Sequence, residues 1–123
     1  MSRIFYVALG GAAGSVCRYL VSLIPLKGNF PFNTFFTNLL GAVLIGFIVS
    51  LATNGDITES QVLFWKVGIC GGFTTFSTFS LEALQLLEAH RYLSGGIYIA
   101  LSIFLCILGV ILGRNLSLTL TAK

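Results

Sequence analysis

From Gly95 to Gly113 the chain carries no charged side chain. A helix crosses the roughly 30 Å hydrocarbon core of a bilayer with about 20 predominantly apolar residues, and a run of this length and character has lipid as its natural solvent. Three further windows of similar character precede it, so that the expected spans are about 4–24, 35–53, 62–87 and 95–115, and little of the chain lies outside them. Composition agrees: of 123 residues 56% are hydrophobic and 9% charged, where soluble domains carry about 25% charged residues. The mean hydropathy is +0.97. These features predict an all-α integral membrane protein, one four-helix transmembrane domain over residues 1–123.

The connections carry ordinary turn signals. Pro25, Lys27, Gly28, Asn29 and Pro31 separate the first two spans, and Thr53-Asn54-Gly55-Asp56 closes the second. Arg3 followed by apolar residues and Ala12-Ala13-Gly14 has the outline of a cleaved leader. The apolar pattern resumes after Arg18, however, and another span follows, so the segment is read as a retained helix. Arg18 stands towards the far end of that helix, where a long side chain can snorkel to the headgroups.

Four helices enclose little polar space by themselves, which makes assembly the natural expectation. Gly10 and Gly14, Gly68 and Gly72, and Gly109 and Gly113 have the small-xxx-small spacing that lets backbones approach closely in lipid. Such pairs serve contacts within one subunit as readily as between subunits. With four spans, Arg3, Lys66, Arg114 and Lys123 fall on one side and Arg18, Lys27 and Arg91 on the other. Orientation follows the Lys/Arg imbalance of short loops, and this near-balance predicts insertion in both orientations. Two oppositely oriented copies would create between chains the inverted symmetry that larger transporters build within one chain.

Polar residues at depth point to function. Thr34, Thr37 and Asn38 open the second helix and Ser102 lies inside the fourth; a single such residue often does no more than bond a neighbouring helix. The third helix differs because its polar residues form a run, "GICGGFTTFSTFSLEA" over 68–83. Adjacent glycines are a common place for a helix to kink, so a break is expected at Gly71-Gly72. Irregular backbone at this depth is tolerated only when buried in protein or lining a cavity. Freed carbonyls would suit a hard cation; the N–H groups of a helix that restarts would suit an anion. Phe73, Phe76 and Phe79 recur every third position, so that each stays within about 60° of the next on the helix surface. A phenylalanine stripe is ordinarily packing, yet a ring edge carries partial positive charge and attracts an anion weakly.

At these residues the chain resembles the Fluc (CrcB) family of small fluoride channels, through "GAAGSVCRYL" in the first helix, "TFFTNLLGAVLIGF" in the second and "GGFTTFSTFSLE" in the third. The resemblance implies an antiparallel, dual-topology homodimer in the bacterial inner membrane. Two passive fluoride pores, which relieve fluoride toxicity, and a central structural sodium ion are also implied. Carried over by position, the sodium ligands would be the backbone carbonyls of Gly71 and Thr74. The fluoride pore would be lined by Asn38, Phe76, Ser77, Thr78, Phe79, Tyr98 and Ser102, with Phe76 and Phe79 as paired rings. Arg18, Thr34 and Glu82 fall at positions with structural or vestibule roles, and Cys106 stands where some relatives carry a serine. Nothing in composition or spacing separates fluoride from chloride; that choice comes from the resemblance.

Other classes fit less well. A small multidrug exporter coupled to protons needs a carboxylate in the membrane interior, and the first, second and fourth helices have none. A non-conducting assembly subunit would lack flux. Cys17, Cys70 and Cys106 lie on separate spans without metal-ligand spacing, and read as free thiols rather than an enzyme's centre. His90, between Glu88 and Arg91, reads as a solvated helix end.

Overall fold

A computed structural model describes residues 2–26 and 28–122; Lys27 and Lys123, both counted in the charge balance, lie outside the described residues. The described elements are helical: α1 (Ser2–Ser22), α2 (Phe32–Asn54), α3 (Glu59–Val62), a π-helical stretch (Leu63–Cys70), α4 (Gly71–Phe73), α5 (Phe76–Glu88) and α6 (Tyr92–Thr121). α3, the π stretch and α4 follow one another without interruption, and α5 resumes after Thr74 and Thr75. Among the described residues three helices are long and apolar enough to cross a membrane: Arg3–Ser22, Phe32–Asn54 and Tyr92–Thr121. α5, at 13 residues, is too short to cross alone. The outward faces are apolar, with Ile4, Phe5, Leu20, Phe104 and Leu112 all exposed, as suits a multi-pass membrane protein whose exterior meets acyl chains.

Local chemistry sets the ends. α2 stops at Gly55, whose left-handed φ of 79° lets its N–H turn back to the Ala52 carbonyl while Asp56 N–H reaches Leu51. α3 starts with a reciprocal capping box between Thr58 and Gln61. α5 ends at the same kind of turn as α2, with His90 in the left-handed position (φ 56°) and Arg91 N–H bonded to the Leu86 carbonyl at 2.9 Å. His90 is thus a helix end, its Nδ1 2.9 Å from the Tyr92 hydroxyl. Arg3 pairs with Glu59 at 2.9 Å, which brings the start of α1 to the loop after α2. Arg91 donates to the Asn29 carbonyl at 3.2 Å, which joins the other two loops.

The glycine spacings act inside the chain. A Cβ on Gly68 would lie 2.7 Å from the Gly10 Cα, one on Gly14 would lie 2.9 Å from the Phe73 nitrogen, and one on Gly72 would lie 3.0 Å from the Ser15 nitrogen. α1 therefore meets the π stretch and α4 at backbone contact. α2 meets α6 in the same way, through Gly46 on Val110 and Gly113 on Val43 and Phe47. These contacts take up the small-residue pairs that otherwise would serve an oligomer.

Candidate functional site

The break does not fall at the paired glycines. Gly71 is helical (φ −64°, ψ −36°), while Thr74 (φ −80°, ψ 158°) and Thr75 (φ −151°, ψ 118°) are extended. Gly72 is there for space against α1, and the two β-branched threonines take the extended backbone that suits them. Thr75 then caps α5: its Oγ1 accepts from the Thr78 N–H at 3.2 Å and donates to the Thr78 hydroxyl at 3.0 Å.

One side chain holds the break open. Asn38 of α2 accepts from the Thr75 N–H at 2.8 Å through Oδ1 and donates to the Thr75 carbonyl at 3.0 Å through Nδ2. In a continuous helix the Thr75 N–H would bond the Gly71 carbonyl and the Thr78 N–H the Thr74 carbonyl. Asn38 diverts the first donor and Thr75 Oγ1 diverts the second. The two carbonyls relieved of these partners are those of Gly71 and Thr74, the pair named from the resemblance. Gly71 is exposed, and no atom lies within 4 Å of the position its Cβ would take.

Two clefts flank the break. The first, about 420 Å³, brings together Asn38, Gly71, Thr74, Phe76, Phe79 and Ser102. Phe76 is 78% exposed and Phe79 only 8%, with ring centroids 5.6 Å apart. Phe79 also packs on Tyr98 at 5.1 Å, within a core that includes Phe35, Ala83 and Leu86. Ser102 Oγ is buried without a hydrogen-bond partner. Cys70 and Cys106 line the same cleft, and all three cysteines are free thiols.

The second cleft, about 490 Å³, is more polar and gathers Arg18, Thr34, Thr78 and Glu82. Thr75 lines both clefts. Glu82 is engaged at both oxygens, accepting from Thr34 Oγ1 and from the Tyr98 hydroxyl at 2.8 Å each. It ties α2, α5 and α6 together. Tyr98 is fully buried and lines neither cleft. Ser77 is exposed, also lines neither, and sits 3.4 Å from the Thr75 hydroxyl.

In the sequence Thr75 stands only as one of the run's hydroxyls able to bond carbonyls freed by a break, and Lys66 only in the charge balance. Neither is among the pore positions implied by the resemblance, though both line the first cleft. The doubled threonine after Gly-Gly-Phe was the available signal for the first. For Lys66 the signal was a lone cation in an otherwise apolar stretch.

The profile of the family described as "CrcB-like protein, Camphor Resistance (CrcB)" matches residues 5–114. A fluoride-specific ion channel FluC of Methanococcus maripaludis is 43% identical over 119 residues, covering 96% of this chain and 98% of that protein. The protein of the same name from Phocaeicola vulgatus is 47% identical over 116 residues, 92% of this chain and 96% of its own length. That from Flavobacterium psychrophilum is 41% identical over 124 residues, with 94% and 100% coverage.

Proposed function

The chain belongs to the CrcB family, and from that premise we propose that it is a passive, fluoride-selective channel that exports fluoride and relieves its toxicity. It has no enzymatic role. Two copies in opposite orientations, each crossing the bilayer four times, form a dimer in the bacterial inner membrane. Two pores run along the interface, and a structural sodium ion sits at its centre.

The observation that carries this reading is the clamped break. Asn38 diverts the Thr75 N–H, so the Gly71 carbonyl keeps its lone pairs for another partner, and the Thr75 cap does the same for Thr74. Two carbonyls from each of two copies suit a hard monovalent cation, which would fix the interface by coordinating both copies at once. Gly71 and Phe76 are exposed on the single chain, which supports a second copy closing over this face. The nearly even split of Lys and Arg between the two sides supports both orientations.

The permeating ion is met by what the first cleft offers. Phe76 and Phe79 line it with aromatic rings, whose edges attract an anion weakly, Ser102 holds an unpartnered hydroxyl, and Asn38 lines the wall with its amide anchored. Ser77 and Thr78, in the first turn of α5 but outside the first cleft, add hydroxyls further along the ion's track. Each contact is weak, which lets an anion enter without being trapped. Tyr98 acts indirectly, backing Phe79 and orienting Glu82. Arg18, Thr34 and Glu82 form a vestibule on the other side of Thr75.

Glu82 is the one carboxylate of the third span, and both its oxygens accept hydrogen bonds. That favours a structural carboxylate over the proton carrier an exporter of cations would need. Expression of this chain in cells lacking their own fluoride exporter tests the reading: growth on fluoride should be restored, and Phe76→Ile should abolish the rescue. Growth no better than the empty vector, with the protein present in the membrane, would contradict it.

A further inference from the structure

Resting on the channel reading above, we propose that Lys66 is the anion-gathering charge at the mouth of the pore. The first cleft is built in layers by three strips of chain, from α2, from α6 and from the run of the π stretch, α4 and α5. α2 contributes Asn38, then Gly41 and Ala42, then Ile45; α6 contributes Ser102 and Ile103, then Cys106 and Ile107, then Val110. The third strip runs the opposite way along its chain: Phe79 and Phe76, then Thr75 and Thr74, then Gly71 and Cys70, then Lys66. The cleft therefore extends from the ring pair to an outer layer of Ile45, Val110 and Lys66. Lys66 lies roughly 10 Å along the helix axis from the break.

Lys66 is the one charged residue among those lining this cleft. It is exposed, and among the described residues the ion pair present is Arg3 with Glu59, which leaves Lys66 without a carboxylate partner. At the inner end stands Ser102 with its buried, unpartnered hydroxyl, a donor that needs an acceptor. A cation at the entrance and an unsatisfied donor within are the two parts of an anion path. Apolar walls of low dielectric between them focus the field of a single charge, which raises the local concentration of small anions and their rate of entry. The lysine does not touch the ion at the ring pair; it sets how often one arrives.

The test is fluoride flux through the purified full chain in vesicles of neutral lipid, at fixed low fluoride, with ionic strength varied by an impermeant salt. Wild type, Lys66→Gln and Lys66→Arg are compared. At about 10 mM ionic strength, where the Debye length is about 30 Å, Lys66→Gln should reduce flux about threefold to tenfold. Lys66→Arg should stay near wild type. At about 1 M salt, where the Debye length is about 3 Å, the variants should converge. A Lys66→Gln flux equal to wild type at every ionic strength overturns the proposal. So does a loss independent of salt, which would mark Lys66 as an anchor to lipid headgroups. Failure of the wild type itself to pass fluoride would count instead against the channel reading.

Discussion

Replacing Asn38 by Leu removes both hydrogen bonds to Thr75, made at 2.8 and 3.0 Å, while keeping the side chain's bulk. Thr75 is 7% exposed, so its N–H and carbonyl would be stranded without water. An orphaned buried donor or acceptor costs about 1–3 kcal/mol, which puts the two together at roughly 2–6 kcal/mol. The chain has one escape. If Thr75 turned helical, its N–H would recover the Gly71 carbonyl, offsetting about 1 kcal/mol and closing the break. Either route removes the arrangement that frees that carbonyl. Asn38→Leu should therefore lower the melting temperature in detergent, slow amide exchange at Thr75 if the helix closes, and abolish fluoride efflux. Asn38→Asp is the companion: it keeps an acceptor for the N–H but sets a carboxylate oxygen against the Thr75 carbonyl, and should be nearly as damaging. Unchanged melting, exchange and flux in Asn38→Leu would refute the clamp.

The ring pair should separate by burial: Phe76→Ile, at an exposed position, should leave stability unchanged, whereas Phe79→Ile should cost up to about 1.5 kcal/mol. Both should cut fluoride flux severely, and Phe73→Ile should not; equal flux from all three would return the stripe to packing. Gly71 and Gly72 should also part company. Gly72→Val collides with the Gly11 backbone and should prevent folding, while Gly71→Val has room within its own chain and should fold but lose the dimer and sodium-dependent stability, as read by size and by thermal melts with and without sodium. Adding lysines to the 54–61 loop or to the C-terminus should lock one orientation and silence that version alone, with activity restored by co-expressing oppositely biased versions; full activity from one locked version would exclude the antiparallel pair.

Much of this was legible in the sequence because lipid imposes a blunt rule. Gly95–Gly113 can only be a helix in hydrocarbon, and a polar run such as 74–80 cannot sit there idle. The position of the break was not legible from local chemistry. Gly71-Gly72 has the intrinsic freedom to kink, but tertiary packing used Gly72 for contact with α1 and left the kink to Thr74 and Thr75, because Asn38 reaches Thr75 from another helix. Periodicity does not report a hydrogen bond between residues so far apart in the chain. The same holds for Glu82, whose two partners lie on α2 and α6. The π stretch Leu63–Cys70 shares the apolar pattern of an ordinary helix and gave no separate signal. The glycine spacings were visible, but whether they join helices of one chain or two depends on the partner face, which only the fold reveals.

Fluoride efflux from vesicles that contain only the purified protein tests the central claim most directly. With potassium fluoride inside and a potassium ionophore to balance charge, a fluoride electrode should record rapid release from vesicles bearing the wild type. Vesicles loaded with chloride should release nothing above the protein-free background. Comparable release of both halides would contradict fluoride selectivity, and release of neither, from protein shown to be dimeric, would contradict the channel itself.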